Sequence, residues 1–260
     1  MIVVTGASGN VGRELVRLLG DDVRPVARNS GHRADLGDPA SLVPVFAGAD
    51  TLFLLVAGDR PAEVLDVAGA AGIRRVVLLS SQGAGTRPRT YRHPALFEDA
   101  VRRSGLEWTV LRPGGFHSNA FAWAQSVREH RTVAAPFPDV ALPTVDPADI
   151  AEVAAAVLRD DGHAGATYEL TGPEPTTPRG RAEAIGAALG EPIRFVEQSR
   201  AEARAAMLAV MPAEVVDGTL DIIGAPTPDE QRVSPDVDRV LGRAPRPFTD
   251  WVARNIQAFR

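Results

Sequence analysis

Hydrophobic positions in the first half of the chain fall into short continuous runs, separated by stretches of helical spacing. Ile2, Val3 and Val4 form a β-branched run at the N-terminus. Asn10 to Leu19 then sets Val11, Leu15, Val16, Leu18 and Leu19 on a helical repeat. Val23 to Ala27 predicts a second strand and His32 to Ala34 a short third. Pro39 to Phe46 reads as a helix, Thr51 to Val56 as a strand and Pro61 to Ala71 as a helix. Arg75 to Leu79 is then the fifth strand. Phe97 to Arg103 lies in a helix and Trp108 to Leu111 in one more strand. Uninterrupted apolar strands alternating with helices predict a parallel sheet covered on both faces. Right-handed crossovers make it a doubly wound, Rossmann-type α/β sheet.

After Pro113 prolines and glycines punctuate shorter elements. Asp146-Pro147-Ala148-Asp149 opens a helix reaching about Leu158, with Asp146 suited to the cap and Pro147 to the first turn. Tyr168 to Leu170 and Ile193 to Val196 read as strands. Arg181 to Leu189, Ala201 to Met211 and Phe248 to Phe259 read as helices. The expected organisation is a Rossmann domain over residues 1–130 and a small α+β substrate lobe over 131–260, partly interleaved with the sheet.

Composition narrows the chemistry. Of 260 residues none is cysteine, which removes disulfides, thiolate nucleophiles and thiolate metal sites. None is lysine either, so all 28 basic residues are arginine. Mechanisms that need a lysine are excluded, among them pyridoxal phosphate chemistry and the Walker-A phosphate loop. A net charge of -5 gives no electrostatic footprint for nucleic acid. No apolar run is long enough to span a bilayer and Met1 leads straight into a strand, so a cytoplasmic location is expected. No His, Asp and Glu set has metal-ligand spacing, and no nucleophile elbow supports hydrolysis.

The densest motif is Thr5-Gly6-Ala7-Ser8-Gly9-Asn10-Val11-Gly12, set between the first strand and the first helix. Gly6 permits the turn out of the strand, Gly9 admits a diphosphate where a Cβ would collide, and Gly12 lets helix and sheet pack closely. With Ser8 beside them, the amides of Asn10 and Val11 would meet the phosphates at the helix N-terminus. An NAD-selective site carries a carboxylate about 20 residues further on. Here the second strand ends Val26-Ala27-Arg28-Asn29, without an acid. Arg28 either holds a 2′-phosphate, making the cofactor NADP(H), or is a solvated surface arginine. Asp35 and Leu36 either cup the adenine or, for Asp35, cap a helix. Val56 and Ala57 at a strand end, with Ser80 and Pro113, complete the expected cofactor contacts.

At this point the sequence resembles the NmrA-like branch of the atypical short-chain dehydrogenase/reductase superfamily. The resemblance rests on the glycine turn, on Ala34-Asp35-Leu36-Gly37-Asp38-Pro39, on Ser80-Ser81 and on Leu111-Arg112-Pro113. Phe116, Asn119, Asp149-Ile150-Ala151 and Tyr168-Glu169-Leu170-Thr171-Gly172-Pro173 extend it over nearly the whole chain. It implies a Rossmann domain, a small C-terminal lobe and NADP(H). That branch holds quinone and other reductases, isomerases and redox sensors without activity.

Related reductases use a tyrosine as proton donor, with a lysine four residues on to lower its pKa. Here Tyr91 stands near the expected place but Ala95 occupies the lysine position. Hydride transfer to a quinone or a conjugated carbonyl needs less than that dyad. Positioning, a hydrogen-bond donor and solvent protons suffice. Ser81, Tyr91 and His117 are the candidate catalytic groups. Gln82, His93, Phe116 and Asn119 are candidates for the substrate side. A reductase acting on a small molecule, as monomer or homodimer, is the first reading. A non-catalytic NADP(H) sensor and a tailoring isomerase that recycles its cofactor are the alternatives.

Overall fold

The computed structural model describes residues 1–28 and 31–260. Asn29, quoted above at the strand end, lies outside the described residues. Among the described residues eight strands form in chain order: β1 (Ile2–Thr5), β2 (Val23–Val26), β3 (Thr51–Leu55), β4 (Arg75–Leu79), β5 (Glu107–Pro113), β6 (Thr132–Ala135), β7 (Ala166–Leu170) and β8 (Arg194–Glu197). Six of them make one sheet in the order β2-β1-β3-β4-β5-β7, and every pairing is parallel. Parallel strands need crossovers, and helices supply them between β1 and β2, β3 and β4, and β4 and β5. The chain is a Rossmann-type α/β fold.

Period-two alternation shows which side chains face which layer. Val3, Leu52, Leu54, Val76, Leu78 and Val110 share one apolar cluster with Leu42, Phe46, Leu65, Phe97 and Val101. Val4, Phe53, Val77 and Leu111 alternate with them and are buried too. Burial on both faces explains why the middles of these strands are almost wholly apolar. The helices Asn10–Leu19 and Pro147–Arg159 pack against each other over the sheet.

The expected third strand at His32–Ala34 does not form. Only His32 makes an isolated parallel bridge, to Val26. Gly31, His32 and Arg33 are exposed, and Asp35 folds the chain back at once through a bond from the Gly37 amide to Oδ1 (2.8 Å). Too few apolar groups remain to hold a strand on the sheet edge. Arg75–Leu79 is therefore the fourth strand, not the fifth. Pro39–Phe46 is split into a 3₁₀ turn, Pro39–Leu42, and one turn of helix, Val43–Phe46. The predicted helix Ala201–Met211 is Arg200–Met207, started by a Ser199–Glu202 capping box.

Close packing divides the chain into two units whose segments interleave in sequence. One comprises residues 1–113, 147–170 and 235–243. The other comprises 114–146, 171–234 and 244–260. The single cut at residue 130 expected from sequence differs because the chain returns to the sheet through Pro147–Arg159 and β7. The second unit holds the two-stranded parallel sheet β6-β8 and two apolar clusters. The larger gathers Ala120, Val127, Val133, Ile185, Trp251 and Phe259.

Candidate cofactor and substrate site

The site begins where β1 gives way to the first helix. Thr5 is buried, and its hydroxyl donates to the Phe53 carbonyl (3.0 Å) while accepting from the Leu55 amide (2.8 Å). That pins β1 to β3 at the point where strand order reverses, the position at which doubly wound sheets take ligands. Gly6 has φ +66°, a left-handed conformation that favours glycine, and the Gly9 amide closes the turn on its carbonyl (2.9 Å). A Cβ at Gly12 would lie 2.2 Å from that same carbonyl oxygen.

The helix Asn10–Leu19 starts at Gly9 with no side-chain cap and no acid in its first turn. Helices normally satisfy or neutralise this end. Here the positive dipole end is left bare of acid beside exposed Ser8, Gly9 and Asn10. The arrangement fits a diphosphate. The Ala7 amide bonds the Val26 carbonyl (3.2 Å), so the end of β2 is held beside this turn. Arg28 follows two residues later and is exposed.

Asp35 is exposed and accepts from Gly37 within a tight turn, which Ser41 braces from Oγ to the Asp35 carbonyl (3.1 Å). Leu36 and Val56 pack on one apolar cluster. The loop after β3 approaches them closely, since a Cβ on Gly58 would come 2.5 Å from the Leu36 carbonyl oxygen. Leu36 and Val56 are thus brought onto one cluster, with Ala57 next in the chain.

At the end of β4 the structure adds what the sequence did not reveal. Ser80 donates to Glu98 Oε1 (2.7 Å). Arg112 grips the same carboxylate with two bonds, at 2.9 and 2.7 Å, and Arg102 adds a third at 2.8 Å. Glu98 is 1% exposed. Burial alone would push its pKa up, but hydrogen bonds from Arg112, Ser80 and Arg102 hold it below the ordinary carboxylate value. Arg112 belongs to the Leu-Arg-Pro stretch noted in the sequence. Its partner Glu98 stands 14 residues away, with nothing local to mark it. Ser80, expected to contact the cofactor, anchors the strand end through its hydroxyl.

Ser81 caps the short helix Gln82–Thr86 by accepting from the Gly83 amide (3.2 Å). Gln82 is buried behind it. The Tyr91 ring lies flat against Gly83, 2.6 Å from where a Cβ would be. Ser81, Gln82 and Tyr91 are therefore neighbours. His93 is not part of this group in a simple way. Its Nε2 bonds the Gly58 carbonyl (2.5 Å) and its ring meets Phe97 edge-on, so it latches the helix Arg92–Arg103 to the β3 loop. Ala95 lines an open groove of about 570 Å³ with Pro88, Arg89, Arg92, Leu96 and Asp99. Pro113 closes β5 in register with Leu170.

The second unit carries the remaining candidates. Phe116 bridges Val145 and precedes the 3₁₀ segment His117–Trp123. His117 is 1% exposed, with Nδ1 near Thr144 Oγ1 (2.9 Å), Nε2 near the Arg246 carbonyl (3.4 Å) and its ring edge-on to Phe248. Held on both nitrogens, it packs as a wall. Asn119 is exposed. Among the described residues no cluster of three or more His, Cys, Asp or Glu could hold a metal ion, and no helix is long and apolar enough to cross a membrane.

The fold and the uncapped glycine turn define a dinucleotide-binding protein. The NAD(P)H-binding family matches residues 6–161, and the chain belongs to it. Across its full length it is 36% identical to a (4-alkanoyl-5-oxo-2,5-dihydrofuran-3-yl)methyl phosphate reductase from Streptomyces griseus, covering 99% of that protein. It is 30% identical to an NAD(P)H azoreductase from Xenophilus azovorans, over 100% of this chain and 99% of that one. An NADPH-dependent quinone oxidoreductase from Escherichia coli superposes with a TM-score of 0.82 at 25% identity, covering 98% and 99% of the two chains. The chain is an NAD(P)H-dependent oxidoreductase of the atypical, NmrA-like short-chain dehydrogenase/reductase type.

Proposed function

We propose that this protein reduces an electron-poor acceptor conjugated to a carbonyl, such as an acyl butenolide or a quinone, at the expense of NADPH. The observation that carries the reading is the donor set. Tyr91 has Ala95 where a lysine would tune it, and the candidate hydroxyl groups are those of Ser81, at the end of β4, and of Tyr91, whose ring packs on Gly83. A tyrosine without a lysine to stabilise its phenolate is a poor proton donor or base for alcohol–ketone interconversion at neutral pH. Conjugated acceptors make a smaller demand. A hydride delivered to the β-carbon would form a C–H bond there, the C=C pair would shift towards the carbonyl carbon and the C=O pair onto oxygen, and hydroxyl donors would steady that enolate until water protonates it. NADPH supplies the hydride when bound. The relatives fit, since the Streptomyces enzyme's named substrate is an acyl butenolide and the Xenophilus enzyme's name describes azo reduction.

NADPH oxidation should be measured against a panel of butenolides, quinones and azo dyes, alongside NADP reduction with simple secondary alcohols. Turnover is expected with conjugated acceptors and not with alcohols. Turnover of alcohols alone would overturn the proposal. Tyr91→Phe keeps the ring on Gly83 and removes only the hydroxyl, so it is expected to lower kcat/KM about 10-fold with the melting temperature unchanged. An unaltered kcat/KM would remove Tyr91 from the mechanism.

Preference for the phosphorylated cofactor is assigned to Arg28. Arg28→Ala is expected to weaken NADPH binding about 20-fold by calorimetry and to leave NADH binding within about twofold, the difference being one charge-assisted phosphate contact. Equal losses for both would mean that Arg28 does not read the 2′-phosphate.

A further inference from the structure

Arg181 differs from several arginines of the second unit that pair with acids. Arg131 pairs with Glu191, Arg179 with Asp139, Arg200 with Asp221 and Arg204 with Asp217. Arg181 has no such acid. Its Nε is sealed from solvent without a hydrogen-bond partner, and no other buried side-chain nitrogen or oxygen among the described residues shares that state. Burial, with no acid to offset it, pushes its pKa down to about 10, so the group is still a cation at neutral pH. A half-buried cation with Nε sealed and no acid beside it is destabilising, and an aromatic face offsets only part of that cost.

The surroundings are organised. Arg181 lies in the first turn of the helix Pro178–Leu189. Thr177 caps the Gly180 amide (2.9 Å), the Arg179 amide bonds the Pro138 carbonyl (3.2 Å), and the Arg181 amide bonds the Thr177 carbonyl (2.9 Å). The helix start is therefore satisfied, and only the guanidinium is left over. Its carbon sits 5.4 Å from the centre of the Trp123 ring. An aromatic face holds a guanidinium by its plane and leaves the N–H edges for a ligand. Trp123 ends the segment His117–Trp123, which follows Phe116 and carries Asn119, the residues assigned from sequence to the substrate.

We infer that Arg181, backed by Trp123, is a specificity-determining residue that binds an oxyanion on the substrate, a phosphate monoester or a carboxylate. This rests on the reading of the protein as a reductase of conjugated acceptors, and it adds that the natural acceptor carries an anionic group. Two parallel N–H bonds from a fixed guanidinium suit either group. Buried polar groups kept at a cost to stability are characteristic of binding sites.

The test compares the parent with Arg181→Met, which keeps the packing over Trp123, and with Arg181→Gln as a second variant. In NADP-saturated protein at constant ionic strength, inorganic phosphate, methyl phosphate or acetate is added and the melting temperature read. Phosphate or acetate is expected to raise it for the parent and to leave both variants unmoved, and the better anion identifies the group. Without added anion the Met variant is expected to melt no lower than the parent. In turnover, KM for an acceptor bearing that anion is expected to rise about 30-fold in the variants, with kcat retained and an uncharged analogue changed less than about twofold. Equal anion shifts in parent and variants, or equal KM changes for charged and uncharged acceptors, would overturn the inference. Absence of NADPH oxidation with every acceptor would sink the proposed reaction, while the melting experiment would still decide Arg181.

Discussion

Gly12→Ala is expected to weaken NADP(H) binding by about 100-fold and to lower the melting temperature by about 5 °C. The added Cβ would stand 2.2 Å from the Gly6 carbonyl oxygen, 2.8 Å from its carbon and 3.0 Å from the Ala7 Cα. All three are backbone atoms, so no side chain can swing aside. Gly6 cannot retreat easily, because it already sits at φ +66° with the Leu55 side chain beneath it. The first helix must move off the turn, and its leading amides leave the position where a diphosphate would meet them. Gly69→Ala is the control. It lies in the helix Pro61–Ala70 with only Leu106 Cδ2 near, at 3.9 Å. That change is expected to stabilise by up to about 1 kcal/mol and leave binding untouched. Calorimetry with NADP and thermal unfolding on both variants read the two effects. Binding by Gly12→Ala within twofold of the parent would mean that the turn does not hold the cofactor.

The glycine turn was legible because everything it needs is local. A strand, three glycines and a helix follow one another within a dozen residues, and each glycine answers a steric demand of the backbone. The central strands were legible for a related reason, since burial on both faces leaves few polar residues to confuse the pattern. The edge failed where tertiary pairing decides. His32 bonds Val26 as one bridge, but three residues between Gly31 and Asp35 cannot bury enough to extend it. β6 was missed because Thr132–Ala135 is short and is followed by Pro136, Phe137 and Pro138. It owes its existence to pairing with β8, more than 50 residues on. Arg181 shows the same limit from the side of function. An arginine near a helix start reads as solvated, and only its enclosure against Trp123 sets it apart.

Glu98 is the plainest case of a residue invisible in sequence and large in consequence, and replacing it should show this. Glu98→Ala is expected to cost about 3 kcal/mol at neutral pH by urea unfolding, because it strands the Arg112 guanidinium beside a cavity and frees the Ser80 hydroxyl. Glu98→Gln keeps the shape and loses the charge, and so separates the two contributions. The pH dependence has a defined sign. The folded carboxyl titrates below its ordinary value of 4.5. The stabilisation is therefore complete above the unfolded pKa and disappears as pH falls through the folded one. The gap between parent and Glu98→Gln is expected to narrow below about pH 4 and to stay constant above about pH 6. Ser80 and Ser81 are adjacent, so loss of the anchor should also lower kcat with conjugated acceptors. NADP(H) affinity should hold within about threefold, since the glycine turn is built from other residues. A stability loss under about 1 kcal/mol would mean that Arg112 had turned to Glu169, whose charge already acts on it, and the anchor at the end of β4 would then belong to that pair.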